Sequence, residues 1–315
     1  MISTTSASSP RKPASRTVAA VTRRARARGA LALACAGLVA VGAAGSGTGG
    51  TRATTVPRFS RVVLIVFENK GRDAVVGNPT APTFAWLSRR YATLTDYRAV
   101  AHPSLPNYLA LVSGSTQGIA DDCGTCVVSA RNLADTLEEA GKTWKTYAEG
   151  LPRPGFTGTF AGRYAKKHDP FLYFKDVLVS RSRRQRVVPL TTFATDLTAR
   201  KLPSFSLVVP DLCHDMHDCS VAKGDSWLGS FLPPLFASGA FRGGALFVVF
   251  DESDNSSVGG GGVVPAYVAG PFVRPGSRTN VVLDHYSLLR TIEDGLGVPP
   301  LGRSASAPPI GGIWR

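Results

Sequence analysis

The sequence is short of acid. Thirty-six lysines and arginines face 22 aspartates and glutamates over 315 residues, a formal net charge of +14. Such an excess suits an anionic partner, but it is uneven. Residues 1–44 hold no acid and carry Arg11, Lys12, Arg16, Arg23, Arg24, Arg26 and Arg28, which is half of the net charge. With that segment set apart, no specific nucleic-acid binding is expected. Cysteine is scarce, five in all, and Cys123-Gly-Thr-Cys126 has no second Cys-x-x-Cys to form a zinc-finger pair. The full Gly-x-x-x-x-Gly-Lys-Ser/Thr phosphate loop is absent, and no internal repeat points to a solenoid. What remains is a chain 43% hydrophobic and 18% charged, enough to bury a sizeable core.

The arginine-rich start runs into an apolar stretch of small residues, 29–45, followed by Ser, Gly and Thr. This is the layout of a cleaved export signal over 1–44, with 45–57 as a linker and a secreted or cell-surface location. A membrane anchor is the competing reading, but the run is short and rich in Ala and Gly, so no stable span is expected after signal removal. Arg23-Arg24 leaves the route open, because Ala25 and Arg26 stand where a twin-arginine signal carries apolar residues. Cys35 lies inside the apolar run. Cys123, Cys126, Cys213 and Cys219 remain, an even number that suits two local disulfides in an oxidising compartment. A redox or zinc half-site at Cys123 and Cys126 is the alternative.

Three apolar runs, 62–67, 205–209 and 245–250, read as strands buried on both faces of a parallel sheet. Each ends in acid: Glu68-Asn69, Asp211 across Pro210, and Asp251-Glu252. Ligand sites of open α/β sheets form at the carboxyl ends of strands, so these groups are placed to converge and to need a cation. Helical patterns cover 106–113, closed by Gly114; 132–140, closed by Gly141; and 284–296, with Asp284 as N-cap. The alternation predicts an α/β fold with a mostly parallel central sheet and helices on both faces. One domain, 58–296, is expected, followed by an irregular tail, 297–315, rich in Pro, Gly and Ser.

The most informative segment is His102-Pro-Ser-Leu-Pro-Asn-Tyr108. Ser104 precedes a helix whose free N–H groups and dipole favour an anion or a developing alkoxide. A plain N-cap role for Ser104 competes with that.

Together with Val-Phe-Glu-Asn69, Lys-His-Asp-Pro-Phe171, Asp-Met-His-Asp218, Phe-Asp-Glu252 and Asp-His-Tyr-Ser-Leu-Leu-Arg290, this segment resembles the bacterial phosphoesterases of the secreted acid phosphatase and phospholipase C type, within the alkaline phosphatase superfamily. The resemblance covers roughly 61–296. It implies an alkaline-phosphatase-like fold and one divalent metal held by Glu68, Asn69, Ser104, Asp251 and Glu252. Ser104 would be the nucleophile, passing through a phosphoserine. It further implies His217 and His168 beside the phosphate as catalytic groups. Asn107, His102 and His285 are candidate substrate contacts, while His102 also reads as fixing the turn before Ser104 and His285 as a helix-start residue packed under the site. Relatives with two metals draw the second site from segments placed like Asp211, Asp215, His217 and His285. The proposed oxygen-rich ligand set favours Ca²⁺, Mg²⁺ or Mn²⁺, with Zn²⁺ as an alternative. The implied activity is that of an acid phosphatase on phosphate monoesters, with phosphoinositides such as phosphatidylinositol 3-phosphate, or nucleotides, as substrates. A phospholipase C-type diesterase is the alternative.

Other readings compete. Arg181, Arg183, Arg184 and Arg186 form a basic cluster that is either a solvated loop or a grip on anionic substrates. Glycines 259–262 read as a lid or a mobile turn. His214 is a solvated neighbour of Cys213 or a phosphate contact. Gly224-Asp-Ser-Trp-Leu228 resembles the start of a GDSL-type esterase, but it comes late in the chain, and Ser226 reads better as a helix cap. A sulfatase lacks support, because Ser104 opens no Ser-x-Pro-x-Arg pattern. A non-catalytic secreted binding protein would have to keep every reactive side chain without using it.

Overall fold

The computed structural model describes residues 55–315, so the export signal, the Arg23-Arg24 pair, Cys35 and most of the expected linker lie outside the described residues. Three runs of consecutive aliphatic and aromatic residues give the strands on which the sheet is built: β1 (Arg61–Phe67), β5 (Phe205–Val209) and β6 (Gly244–Phe250). Each is buried on both faces almost throughout, as strands covered by helices must be. With β2 (Ala92–Leu94), β3 (Trp144–Ala148), β4 (Val187–Pro189), β7 (Ala266–Ala269) and β8 (Arg278–Thr279), they form one eight-stranded sheet in the order β8-β2-β7-β6-β1-β5-β3-β4. Only β7 runs antiparallel to its neighbours. The sheet is mixed and mostly parallel with flanking helices.

Five helices matter for the site: α1 (Pro82–Arg90), α2 (Ser104–Ser113), α3 (Leu133–Glu139), α4 (Val221–Ala237) and α5 (His285–Leu296). Helices α1 and α4 pack side by side, and so do α2 and α5. Phe67 at the end of β1 meets Phe84 of α1, Trp227 of α4 and Phe250 of β6 at centroid distances of 5.4, 6.0 and 5.3 Å. That aromatic knot fixes the strand ends from which the acidic loops leave. The helix caps follow the sequence: Asn132 accepts from Ala134 N–H, Asp284 accepts from Ser287 N–H, and Gly114 turns α2 off in the left-handed region. Gly141, also left-handed, turns the chain from α3 toward β3, so Gly141-Lys142-Thr143 is a helix-to-strand connection.

Several expectations change. Helix α2 begins at Ser104, two residues before the position the pattern gave, so Ser104 is the first helical residue. Ser226 lies inside α4 and caps nothing; it is the adjacent Asp225 whose carboxylate accepts from Thr83 and Phe84 N–H and caps α1. The segment 297–315 has little regular structure, yet Ile310 and Ile313 are fully buried and Trp314 packs on Phe59 at 5.7 Å. It completes the core of a compact unit running to Arg315. Both disulfides are local, Cys123–Cys126 and Cys213–Cys219. Glycines 259–262 form a tight buttress: a Cβ on Gly260 would come within 2.3 Å of the Val100 carbonyl, and one on Gly261 within 2.2 Å of that of Ala101. No helix among the described residues is long and apolar enough to cross a membrane.

Candidate active site

The register of the central strands gathers the site. Phe67 stands opposite Phe250, so Glu68 and Asp251 leave the sheet together. Asp251 N–H donates to the Phe67 carbonyl at 2.9 Å, and Glu68 N–H to the Asp215 carbonyl at 2.8 Å. Asn69 then takes a left-handed conformation (φ 51°), which asparagine tolerates better than most residues. Its backbone N–H donates to Asp251 Oδ1 at 3.2 Å.

Ser104 opens α2 directly beside these loops. Its hydroxyl lies 3.0 Å from Glu68 Oε2 and 3.2 Å from Glu252 Oε1, and it is fully buried. Glu252 is held in turn by His102 Nδ1, while His102 Nε2 faces the Ser256 carbonyl at 2.9 Å. Both ring nitrogens of His102 are thus engaged within the protein, which makes it the holder of Glu252 and not a substrate contact. Asn107 changes role for a similar reason. Its Oδ1 accepts from Val100 and Ala101 N–H, and its amide donates to the Ala101 and Pro103 carbonyls. It locks the loop that presents Ser104. His285 is fully buried between Tyr97 OH (2.8 Å) and the Asp251 carbonyl (2.7 Å); it braces Asp251 from below and has no nitrogen left for a phosphate.

His168 is 1% exposed and bridges two carboxylates, with Nε2 3.1 Å from Glu68 Oε1 and Nδ1 3.2 Å from Asp215 Oδ2. Its ring stacks on Tyr108 at 5.1 Å. Such burial places it under the site, not on the phosphate as expected. Burial, with Lys167 and His217 nearby, holds its pKa well below the ordinary histidine value, so the ring is neutral and has a single N–H. One of its two carboxylate contacts then sets a lone pair against an oxygen, which is stable only with a proton or a cation between the groups.

The carboxylates give the same indication. Burial raises the pKa of Glu68, with Asp215 adding to it, and raises Asp251, with Glu68 and Glu252 adding. Asp215 and Glu252 are raised chiefly by burial as well. Glu68 Oε1, Asp215 Oδ2, Asp251 Oδ2 and His168 Nε2 are buried without hydrogen-bond partners. Buried charge left unpaired at this density is costly, and an oxygen-rich donor set with one imidazole fits a divalent cation. Ligand atoms of Glu68, His168 and His217 lie within 4.8 Å of one another. The structure therefore joins Glu68, Ser104, Asp251 and Glu252 in one cluster as expected. It contributes Asn69 through its backbone, and it adds His168 and Asp215 to the floor.

The half-exposed rim carries the positive charge. His217 Nδ1 is 2.7 Å from Asp218 Oδ1, and its Nε2 is 3.2 Å from Lys167 Nζ. Lys167 also binds Asp122 Oδ2 at 2.8 Å. Burial works against the Lys167 ammonium, yet Asp122 and Glu68 hold its pKa above the ordinary lysine value. Asp122 Oδ1 accepts from Leu105 N–H at 3.0 Å, so a side chain from the Cys123–Cys126 loop takes the helix donor next to Ser104. Lys167 and Asp122 were not singled out as site residues; the one signal was the place of Lys167 within the Lys-His-Asp-Pro-Phe run.

Other candidates fall outside. His214 pairs with Glu149 at 2.9 Å and lies 3.5 Å from Asp211, a separate cluster at the ends of β3 and β5. The arginine cluster is tied to structural acids: Arg183 binds Glu138, Asp135 and Asp176, and Arg186 binds Glu138.

Comparison with known proteins agrees with this architecture. The sequence profile of the Phosphoesterase family matches residues 78–299. A protein of Mycobacterium tuberculosis named phosphatidylinositol-3-phosphatase is 39% identical over 269 residues, covering 84% of this chain and 86% of that protein. A probable acid phosphatase of Kluyveromyces lactis is 31% identical over 261 residues, covering 78% of this chain and 60% of its own length. Among solved structures, an alkaline phosphatase superfamily protein from Vibrio parahaemolyticus superposes with a TM-score of 0.56 at 15% identity, over 82% of this chain and 72% of that one. At that identity the likeness shows the fold. The chain belongs to the Phosphoesterase family and carries the fold of the alkaline phosphatase superfamily.

Proposed function

We propose that this protein is a metal-dependent phosphomonoesterase that attacks phosphorus with Ser104, and that phosphatidylinositol 3-phosphate is among its substrates. The observation that carries the proposal is the Ser104 hydroxyl between Glu68 and Glu252 at 3.0 and 3.2 Å, on the first turn of a helix. Glu68, Asp251 and Glu252, with His168 and Asp215 below, would hold one divalent cation, Ca²⁺, Mg²⁺ or Mn²⁺ before Zn²⁺. When bound, that ion lowers the pKa of a coordinated hydroxyl and offsets phosphoryl charge.

The chain's own groups supply the rest. Ser104 loses its proton to one of the two carboxylates it touches and forms a bond to phosphorus as the ester oxygen leaves. Lys167 and the N-terminal turn of α2 offset the negative charge on the phosphoryl oxygens. As Lys167 turns its ammonium to the phosphate, His217 Nε2 is released on the exposed side; the ring then protonates the departing alkoxide and takes a proton from the water that cleaves the phosphoserine. His102, His285 and Asn107 hold Glu252, Asp251 and the Ser104 loop in place.

The 39% identical relative named for phosphatidylinositol 3-phosphate supports the lipid substrate. The two disulfides support export, because such bonds persist in oxidising compartments. Purified protein should release phosphate from an aryl phosphate, lose that activity to a chelator, and regain it with divalent metal. Absence of metal-dependent release would refute the proposal, and release of phosphocholine from phosphatidylcholine would favour a phospholipase C.

A further inference from the structure

A second site lies outside the catalytic cluster, along the helices α1 and α4 and at the strand ends opposite the catalytic acids. Two cavities adjoin there, sharing Tyr91 and Phe236, whose rings stack at 5.4 Å. The first, of about 460 Å³, is a trough between α1 and α4, walled by Pro82, Trp86, Leu232 and Pro233. Trp86 is 39% exposed and packs against Tyr91 and Phe236 at 5.7 and 6.0 Å, so the trough presents an aromatic wall to solvent. The second, of about 390 Å³, is bordered by Gly243 before β6 and Gly270 after β7, and carries Arg90, Arg242 and Arg315. The catalytic acids follow the other end of β6, so the arginines sit at the opposite edge of the sheet. No acidic side chain lines either cavity, and both volumes are of small-molecule size.

We propose that this face binds one long-chain carboxylate, its alkyl chain in the aromatic trough and its head among Arg90, Arg242 and Arg315. The sharing of Tyr91 and Phe236 makes the apolar and cationic parts continuous, which is the pattern of a single-chain anionic amphiphile. Charge argues against other occupants. Residues 1–44 of this chain carry seven basic residues and no acid, and a second copy would present the same arginines. The site is independent of the catalytic proposal.

Isothermal titration of the full chain with myristate, below its micellar concentration, should show saturable one-to-one binding. Neutral dodecyl maltoside should show none. The double variant Arg90→Glu, Arg242→Glu should bind myristate on the order of tenfold more weakly or worse while keeping its aryl phosphatase turnover, which confirms folding. Trp86→Phe should lose the fluorescence change that accompanies binding. Equal binding of the neutral detergent, or unchanged affinity in the charge-reversed variant, would overturn the proposal. A dimer dissolved by Phe236→Glu, without myristate binding, would assign the trough to a second copy and overturn it as well.

Discussion

Glu68 and Asp251 sit side by side because the two strands that end before them are in register, Phe67 against Phe250. Their carboxylates are buried, burial raises both pKa values, with Asp215 adding to the rise at Glu68 and Glu68 to that at Asp251, and Glu68 Oε1 and Asp251 Oδ2 have no hydrogen-bond partner. Buried together, the two carboxylates need a shared proton or a cation between them, and a cation also suits the neighbouring donors. Asp251→Asn should therefore weaken divalent-metal binding by at least about tenfold, the scale seen even when a ligand's supporting partner is lost. Calorimetry on the purified variant measures this directly, and unchanged affinity would remove Asp251 from the ligand set.

Lys167 is the buried-side cation of the rim, clamped by Asp122 and beside His217. Replacing it by methionine keeps most of its bulk and removes the charge. A hydrogen bond to a charged group contributes about 1.5–3 kcal/mol, so Lys167→Met should lower kcat/KM by about 10- to 100-fold. Inhibition by inorganic phosphate should weaken in parallel, as read from steady-state inhibition curves.

His217 is assigned the proton of the leaving group, and general acids contribute roughly 10²- to 10⁴-fold. The need for that proton depends on the alcohol expelled. His217→Asn should cost far more on an alkyl phosphate than on a nitrophenyl phosphate, whose leaving oxygen departs as a stable anion. Equal losses on the two substrates would point to a role in binding instead.

Glu293 of α5 makes a prediction about stability away from the site. Ser304 Oγ has one proton but lies 2.6 Å from Glu293 Oε2 and 2.7 Å from the Leu301 carbonyl, an arrangement satisfied when Glu293 itself is protonated. Burial pushes its pKa up to about 8, from an ordinary 4.5. Between those values the folded chain holds a proton that the unfolded chain releases. This contribution to stability is therefore complete below about pH 4.5 and is lost as pH rises through about 8. Glu293→Gln should flatten the decline of melting temperature over that interval; a variant as pH-dependent as the parent would contradict the assignment.

The strands and the acids at their tips were legible because continuous apolar runs and the residues that stop them are local signals. The start of a helix beside Ser104 was legible from the pattern that follows it, whereas its role as nucleophile rested on the family resemblance. What stayed hidden was where side-chain atoms spend their hydrogen bonds. His102 and His285 were open between a substrate contact and a structural role, and Asn107 read as a substrate contact; each is committed to a carboxylate, a backbone group or a tyrosine. Asp215 entered the sequence analysis only as part of a second metal site, and its contact with His168 depends on a loop bringing together residues 47 apart. The core role of 297–315 was masked by Pro, Gly and Ser, although Ile310, Ile313 and Trp314 were visible among them.

In the proposed mechanism Ser104 passes the phosphoryl group from ester to water. Rapid acid quench of the enzyme turning over an aryl phosphate, followed by mass spectrometry of its peptides, tests that role most directly. One phosphoryl group is expected on Ser104, absent from Ser104→Ala, a variant that should stay folded with turnover reduced by at least about a thousandfold. A phosphoryl group on another residue, or near-normal turnover by Ser104→Ala, would contradict it.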